Sequence, residues 1–246
     1  MTTMTPAPRR TLAETCADQL RAAILEGELP AGDRLPAEQE LADQLAVSRL
    51  TLRSALIRLA GEGLVEARHG SGYRVRDFRR SAGSALLPSV VEVAREHGEE
   101  LDVVADLLRV RRHLAVALFE RVQAHPPSAE GIDGVVEAVE AFGRAVAEER
   151  PVRELALADS DVLAAILAAS GSVVLQLSLH PVREVLRVSP RLCRAMYRDP
   201  QSNLLGWQAL LTWLRAPTGS PEPLMDLLAA RDAETLAHLA HLPEAP

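Results

Sequence analysis

The chain has 246 residues, a formal net charge of -7 and 48% hydrophobic residues. This length favours two domains over one. The N-terminus has no apolar signal region, and the sequence has no run of 18 apolar residues, so we expect a cytoplasmic protein without a transmembrane helix. Cys16 and Cys193 lack metal-ligand spacing, and we expect both to be free thiols in a reducing compartment.

Two helices are predicted before residue 46. Apolar residues recur at helical spacing over 12–25, and Thr11 with Glu14 forms a capping box at its start. The Gly- and Pro-rich connector GELPAGDRLP (27–36) follows. A second helix is predicted over 36–45, because proline is favoured in a first helical turn and acids follow it there.

A third helix and a hairpin complete the N-terminal pattern. Ser48 caps a helix whose apolar positions 52, 55, 56 and 59 form one stripe, and two glycines at 61 and 63 end it. LVEARHGSGYRVRDF (64–78) alternates apolar and polar residues around a glycine-rich tip, which predicts a hairpin. Three helices followed by a hairpin are typical of a winged helix-turn-helix.

A basic segment lies inside this acidic chain. Residues 48–80 contain eight arginines and three acids, a net charge of +5, and no lysine occurs anywhere in the sequence. Such a patch indicates a polyanionic partner. In a winged helix-turn-helix the third helix enters the DNA major groove, where Arg49 can bind guanine. Thr51 and Arg53, on the same exposed face, can reach phosphates, as can the Ser48 hydroxyl.

The hairpin and the second helix add further candidates. The glycines of HGSG allow backbone amides to approach phosphate, while His69 and Tyr73 flank the tip near the minor groove. Gln39 can contact DNA, although an ordinary surface glutamine is an equal interpretation. The alternative for the whole set is a solvated arginine face beside an ordinary hairpin. The combination of cap, arginine spacing, glycine-rich wing and local charge favours DNA binding over it.

From about residue 84 onward the periodicity predicts helices only. These helices are expected over 101–122, 131–149, 154–170, 173–188, 200–216 and 223–241. We therefore predict a mainly α protein with an N-terminal winged helix-turn-helix and a C-terminal all-α bundle. The predicted divisions are a disordered tail (1–10), a DNA-binding domain (11–78), a linker (79–84) and an effector-binding and dimerisation domain (85–246).

The stretch GDRLPAEQELADQLAVSRLTLRSALIRLAGEGLVEARHGSGYRV resembles the DNA-binding domain of the GntR family of bacterial transcription regulators. The resemblance covers roughly residues 11–76, where LPAE-x-ELA, VSR-x-TLR-x-AL-x-RL and GLV followed by GSG are in register. It implies a homodimer on a short palindromic operator. It also implies DNA contacts at Arg34, Gln39, Ser48, Arg49, Thr51, Arg53, His69 and Gly70.

The helical remainder resembles the FCD effector domain found in the FadR branch of that family. The segment 159–172 follows its Asp-x-x-Phe-His motif, whose Asp and His, with two later histidines, bind a divalent metal in many members. Here Asp159 is present, but Leu163 stands at the His position, and only His238 or His241 is left for the last ligand. We therefore expect no metal and no cofactor, with Asp159 and His238 as remnants of such a site.

The fatty-acid-responsive members of the branch also lack the metal site, and they respond to long-chain acyl-CoA. An acyl-CoA pocket needs an apolar channel with arginine at its mouth. The resemblance offers as candidates Arg109, Arg112, Arg183, Arg187 and Trp213. The alternatives are surface charges with a core tryptophan, a small carboxylic acid as effector, or no effector.

The sequence thus predicts a dimeric DNA-binding regulator whose operator affinity changes with an acidic metabolite. The metabolite would shift the two recognition helices away from the operator spacing, which requires different affinities for the two states. No enzyme is predicted, because no Ser/His/Asp or Cys/His set and no phosphate-binding glycine loop occurs in a suitable context. A third interpretation is a basic segment that binds an acidic protein.

Overall fold

The computed structural model describes residues 11–68 and 72–243, except for the side chains at 187 and 188. The predicted tail over 1–10 therefore lies outside the described residues. The chain divides into two compact units, one ending at Val93 and the other beginning at Ala94. Each unit is built around its own hydrophobic core.

The first unit contains the three helices and the hairpin that the sequence predicts, so this part of the fold class is confirmed. The elements are α1 (Leu12–Glu26), α2 (Glu38–Gln44), α3 (Arg49–Gly61), β1 (Val65–Arg68), β2 (Gly72–Val75), α4 (Phe78–Ser81), a 3₁₀ turn (Ser84–Leu86) and α5 (Leu87–Glu96), which crosses into the second unit. The strands pair antiparallel, with Val65 opposite Val75. The capping box at α1 is also present, since Thr11 and Glu14 each accept a hydrogen bond from the other's backbone amide.

Helix α2 is shorter than the predicted 36–45. Ala37 has ψ 143°, an extended value, so the helix begins only at Glu38. At the other end Ala46 has φ 52°, a left-handed conformation that stops the helix. The amide of Val47 then donates to the carbonyl of Ala42 at 3.0 Å, which closes the turn before α3.

The core of the first unit lies between α1 and α3. Leu52, Ala55, Leu56 and Leu59 of α3 are buried, and they join a cluster that includes residues of α1 and both strands. Residues 32–35 of the connector run beside β2, because the amide of Leu35 donates to the carbonyl of Tyr73 at 2.9 Å. The connector therefore acts as a third strand next to the hairpin.

The segment expected as a linker (79–84) is attached to the first unit where it begins. Phe78 and Ala82 pack against the core of that unit. The Ser81 hydroxyl donates to the carbonyl of Gly63 at 2.8 Å. Gly63 has φ +80°, and a Cβ there would lie 2.3 Å from the carbonyl oxygen of Ser81. Glycine is therefore required at this position.

The second unit is all-helical, and its six predicted helices are present with ends within two residues of the prediction. They are α6 (Glu100–Ala124), α7 (Ala129–Ala147), α8 (Val152–Ala169), α9 (Val173–Val188), α11 (Pro200–Arg215) and α12 (Glu222–His241), with the short α10 (Pro190–Met196) between the fourth and fifth. Helix α7 packs on α8 and α11, and α12 packs on α6 and α10. No helix in the described part of the chain combines the length and apolarity needed to cross a membrane.

We predict that Gly63→Ala destabilises the protein by at least about 2 kcal/mol, because alanine is strained at this φ and overlaps the backbone of Ser81. Chemical denaturation measures the loss. Gly61→Ala is the matched control, since its Cβ meets nothing within 4 Å at the end of α3. We expect the control to be neutral or slightly stabilising, and equal stability of the two variants would contradict the packing described here.

Candidate nucleic-acid interface and effector cavity

The N-terminus of α3 is held by its cap. The Ser48 hydroxyl accepts a hydrogen bond from the Thr51 amide at 3.1 Å and lies 2.8 Å from the Thr51 hydroxyl. Both hydroxyls therefore stabilise the first turn of the helix. One hydroxyl donates to the other, so one hydroxyl proton and the remaining lone pairs stay open on the solvent side, because Ser48 is exposed and Thr51 is only half-buried.

The candidate side chains around α3 differ in how far they are engaged. Arg53 donates to a carboxylate oxygen of Glu38 at 2.7 Å, which joins α3 to the start of α2. Gln39 donates to Asp43 at 2.9 Å. Arg49 is exposed and has no hydrogen-bond or ion-pair partner among the described residues. Of this group, Arg49 has its guanidinium donors free for a ligand.

Two further arginines lie side by side on the sheet. Arg34 of the connector and Arg74 of β2 are bridge partners, so their side chains leave the sheet on the same face. Both are exposed, and neither has an ion-pair partner within the part of the chain described. The sequence analysis singled out Arg34 but not Arg74, which the alternation of β2 places outward next to the inward Val75.

The structure describes only one of the three candidates of the wing. Tyr73 is half-buried and packs against the core of the first unit. His69 and Gly70, the other two candidates of the wing, lie outside the described residues.

The second unit contains a cavity of about 140 Å³ between α6, α8, α9, α10, α11 and α12. The apolar part of its wall consists chiefly of leucines, together with Phe119, Ile166 and Met196. The polar groups of the wall are Arg111, Asp159, Ser160, Arg183, Asn203, Arg231, Asp232 and Thr235. An apolar cavity with a few convergent polar groups has the character of a small-molecule site.

Asp159 lies buried in the wall and accepts a hydrogen bond from the indole nitrogen of Trp207 at 2.6 Å. Burial raises the pKa of the Asp159 carboxyl, an effect that the Trp207 hydrogen bond and the nearby Arg111 and Arg231 oppose. Burial likewise raises the pKa of Tyr197 well above its ordinary value, and the neighbouring Asp159 adds to this. A carboxylate is therefore poorly solvated at this point of the wall.

Asp232 connects two helices across the cavity. Its side chain is 1% exposed, and it accepts hydrogen bonds from Arg111 and from Arg112, the latter at 2.7 Å. The pairing joins α6 to α12. The Nε atom of Arg111 is buried and has no hydrogen-bond partner among the described residues. Arg111 thus carries an unused donor in the wall of the cavity.

Arg231 differs from the other arginines of the cavity in its partners. Its guanidinium donates to the Ser202 hydroxyl and to the side-chain oxygen of Asn203. Both partners are neutral, and no described residue forms an ion pair with Arg231. Asp159 in the same wall is close enough to interact with Arg231 electrostatically, but it forms no ion pair with it. A guanidinium in an apolar wall whose hydrogen bonds go to neutral groups is suited to bind an anionic group.

The effector candidates from the sequence fall in different places. Arg183 lines the cavity and donates to Ser160 at 2.8 Å. Arg109 is exposed and pairs with Asp106 outside it, and Arg112 is engaged by Asp232.

Of the two remaining candidates, Trp213 does not line the cavity directly. The Trp213 indole donates to the carbonyl of Gly219 at 3.3 Å, and its ring meets Phe119 edge-on with centroids 5.0 Å apart. It therefore supports a wall residue from behind. The side chain of Arg187 lies outside what the structure describes.

Sequence reasoning missed Arg111, Arg231 and Trp207. Arg231 and Asp232 are charged neighbours in an otherwise apolar stripe of α12. This interruption of the stripe is the sequence feature that could have identified Arg231 as a candidate.

Part of the segment that resembles the metal-binding motif lies in this cavity wall. Leu163 contributes an apolar side chain where the motif has histidine. His238 lies 3.3 Å from the carbonyl oxygen of Ala195, and His241 lies 2.6 Å from that of Ala237. Within the described residues, no group of three or more His, Cys, Asp or Glu side chains is arranged to hold a metal ion.

Cys193 is also occupied. Its thiol donates to the carbonyl of Leu186 at 2.6 Å, and burial raises the pKa of that thiol to about 11. Its geometry and protonation are those of a buried structural thiol.

The first unit has the fold of a winged helix-turn-helix DNA-binding domain. Residues 12–75 match the family model described as bacterial regulatory proteins, gntR family. A relative in Escherichia coli (strain K12), named for the L-lactate dehydrogenase operon that it is thought to regulate, is 33% identical over 198 residues, which cover 78% of this chain and 72% of the relative. The chain belongs to the GntR family of transcription regulators.

Other relatives include a fatty acid metabolism regulator protein of Serratia proteamaculans, 29% identical over 185 residues that cover 74% of this chain and 71% of the relative. The transcriptional regulator Mce2R of Mycobacterium tuberculosis is 41% identical over 128 residues, 51% of this chain and 52% of the relative. This chain thus spans about half the length of Mce2R. The resemblance read from the sequence is confirmed, since GntR regulators and fatty acid regulators are both among the relatives.

A solved structure supports the overall fold. The protein Lar, described as controlling the Listeria monocytogenes agr system, superposes with a TM-score of 0.61 at 15% identity, covering 96% of this chain and 100% of that chain. At this identity the likeness concerns the fold alone.

We predict that Asp159→Asn stabilises the protein at neutral pH. Because burial raises the pKa of Asp159 in the folded state, that state holds the proton to higher pH than the unfolded chain does. Stability is therefore present at low pH and lost as pH rises from the ordinary value of 3.8 through the raised pKa. The asparagine variant avoids this loss and still accepts the Trp207 hydrogen bond.

Thermal unfolding from about pH 4 to about pH 8 measures the effect as a growing difference between variant and wild type. Asp159→Leu is the control, because it leaves the Trp207 donor unpaired and should be roughly 1–3 kcal/mol less stable than Asp159→Asn at every pH. A wild type that gains stability over Asp159→Asn as pH rises would contradict the prediction.

Proposed function

We propose that this GntR-family regulator binds a palindromic operator as a homodimer, and that a small carboxylic acid held in the cavity of the second unit changes its operator affinity. The proposed DNA-binding domain comprises residues 11–78, followed by a linker (79–84). Residues 85–246 form the proposed effector and dimerisation domain. The observation that carries the effector assignment is Arg231, a cation that lines an apolar cavity and contacts only neutral partners.

For DNA, we assign the central base contact to Arg49. Its guanidinium has no partner within the described residues and lies at the N-terminus of α3, where a winged helix meets base edges. Arginine binds the O6 and N7 atoms of guanine with two hydrogen bonds. The other proposed contacts are to phosphate, or to the groove at the wing: Arg34, Gln39, Ser48, Thr51, Arg53, His69, Gly70 and Tyr73.

The homodimer is supported by an apolar face on α9. Val173, Val174 and Leu177 are 65%, 74% and 70% exposed, and they lie within the first two turns of the helix. The sequence VVLQLSLH of these turns contains no acid and no arginine. In an isologous dimer each copy presents the same surface, so a face without like charges can meet its own copy without repulsion.

For the effector, the size of the cavity favours a short acid. A cavity of about 140 Å³ is close to the roughly 150 Å³ that accommodates benzene in another protein. A long acyl chain has more than twice the carbon atoms of benzene and needs a larger space. The carboxylate would bind to Arg231, and the short apolar part would contact the leucines of the wall.

Long-chain acyl-CoA is the second candidate. The fatty acid metabolism regulator of Serratia proteamaculans, one of the relatives, is named for a metabolism of such acids. The Escherichia coli relative is named for an operon of a short hydroxy acid, at higher identity and similar coverage. Both names concern carboxylic acids, which agrees with the unpaired arginine.

Regulation requires that the effector bind the two conformational states with different affinity. Arg111 offers a route for this difference, because the same side chain lines the cavity and pairs with Asp232 on α12. An anion near Arg111 would compete with Asp232 for its donors. The α6–α12 contact would then differ between the free and the bound protein.

We predict that Arg49→Ala lowers operator affinity by roughly 10- to 100-fold, the effect expected for losing a bidentate contact to guanine. Fluorescence anisotropy with an operator obtained by in vitro selection measures the change, and affinity of the wild type should fall steeply with salt. Arg58→Ala is the matched control on the same helix, since Arg58 already pairs with Glu14 at 3.3 Å. If in vitro selection with the wild type yields no preferred DNA sequence, the proposed function is wrong. The remaining interpretation is then that the basic segment binds an acidic protein.

We predict that short monocarboxylates raise the melting temperature of the wild type, by mass action on the native state, and that Arg231→Gln abolishes the rise. Differential scanning fluorimetry compares acids of increasing chain length with long-chain acyl-CoA. Arg109→Gln serves as control, because Arg109 is exposed outside the cavity. A rise with long-chain acyl-CoA alone would replace our assignment by the second candidate, and a rise that survives Arg231→Gln would place the acid elsewhere.

A further inference from the structure

The recognition helix α3 carries a large apolar side chain where the sequence analysis considered only polar ones. Leu50, its second residue, is 77% exposed, which is the highest value among the exposed large apolar residues of the described chain. An exposed leucine by itself is unremarkable. Leu50, however, lies in the first turn of the helix between Arg49 and Thr51, which are both proposed DNA contacts.

The geometry of α3 fixes the direction of Leu50. At roughly 100° per residue, the buried positions 52, 55, 56 and 59 centre on the side of the helix opposite Leu50. Leu50 therefore lies at the middle of the outward face and takes no part in the core. Arg49 and Thr51 flank it on either side.

One turn further along, Arg53 continues the same outward face. The surroundings of Leu50 are therefore basic, since Arg49 and Arg53 are both exposed and only Arg53 is paired. A leucine at the centre of a basic face does not suit another acidic protein, because charged side chains brought against it would lose hydration without gaining a partner. The DNA major groove supplies both features needed, phosphates for the arginines and an apolar group for the leucine.

We propose that Leu50 is a specificity-determining residue that contacts the C5-methyl group of a thymine in each operator half-site. The proposal rests on the proposed DNA-binding function. In the major groove the thymine methyl is the apolar feature of the base-pair edges, whereas the other groups donate or accept hydrogen bonds. Leucine cannot satisfy those groups, so a guanine, adenine or cytosine edge at this position loses water and gains nothing.

The neighbouring Arg49 makes the proposal more specific. Leu50 follows Arg49 along the helix with a rise of about 1.5 Å, which is less than the base-pair step of about 3.4 Å. The thymine should therefore lie at or next to the base pair that Arg49 contacts. Ile57 has a similar apolar side chain on the same face, 67% exposed, but it lies about 10 Å further along the helix, beyond the first turn.

The test replaces the thymines of a selected operator one at a time by deoxyuridine, which removes the methyl group and keeps the base pairing. Binding is measured for wild type, Leu50→Ala and Ile57→Ala, with circular dichroism to establish that all three fold. We expect one position in each half-site where deoxyuridine lowers the operator affinity of the wild type and of Ile57→Ala by about fourfold per methyl group. Leu50→Ala should bind the operator with thymine and the operator with deoxyuridine at that position with equal affinity.

Two results would overturn the proposal while leaving DNA binding intact. In the first, no deoxyuridine position separates wild type from Leu50→Ala. In the second, the affinity of Ile57→Ala no longer depends on the thymine methyl group, as for Leu50→Ala. The methyl contact would then not be specific to Leu50 in the first turn of the helix. Failure of the wild type to select any operator is a different result, because it removes the proposed function itself.

Discussion

The buried stripe of α3 determines what the first unit presents to its surroundings. Four side chains at 52, 55, 56 and 59 insert into the core against α1 and the hairpin, and their burial fixes the rotation of the helix about its axis. Once that rotation is fixed, the directions of Arg49, Leu50 and Arg53 follow. A helix with a weaker stripe would rotate, and the same residues would then point in other directions. The packing of the core therefore also determines which side chains of α3 face outward.

The second unit combines buried charge with an apolar cavity. Asp232 is almost fully buried, and two arginines of α6 satisfy it, so removing either partner would leave charge in a poorly solvated place. Arg231 on the same helix forms no ion pair with a described residue and hydrogen-bonds only to neutral side chains. Buried charge of this kind costs more stability than an all-leucine wall would.

Most of the fold could be predicted from the sequence because its signals are local. Capping residues, helical periodicity and the glycine-rich hairpin act over a few neighbouring residues, and they located α1, α3, the wing and the long helices of the second unit. Both ends of α2 were misplaced by one or two residues, because neither the extended Ala37 nor the left-handed Ala46 carries a side-chain signal. The short α10 was missed because seven residues are too few for a clear period.

The cavity could be predicted only in part. Its wall combines side chains from six helices, and a single sequence does not show which of many arginines meet in space. The segment 159–172 pointed to Asp159 only as a remnant of a metal site, and its place in the cavity wall follows from the packing of the helices. Arg111 and Arg112 are adjacent in sequence, but only Arg111 lines the cavity. The packing of α6 on α12 decides which of the two does so.

The bridge between Arg34 and Arg74 has a consequence for the free protein. Two arginines that leave one face of a sheet at neighbouring positions repel each other, and Glu66 opposite Arg74 on β1 offsets part of this repulsion. Arginine stays charged at every accessible pH, so loss of a proton does not relieve the repulsion, whereas salt weakens it through screening. A polyanion that contacts both arginines would therefore remove a repulsion between the connector and β2.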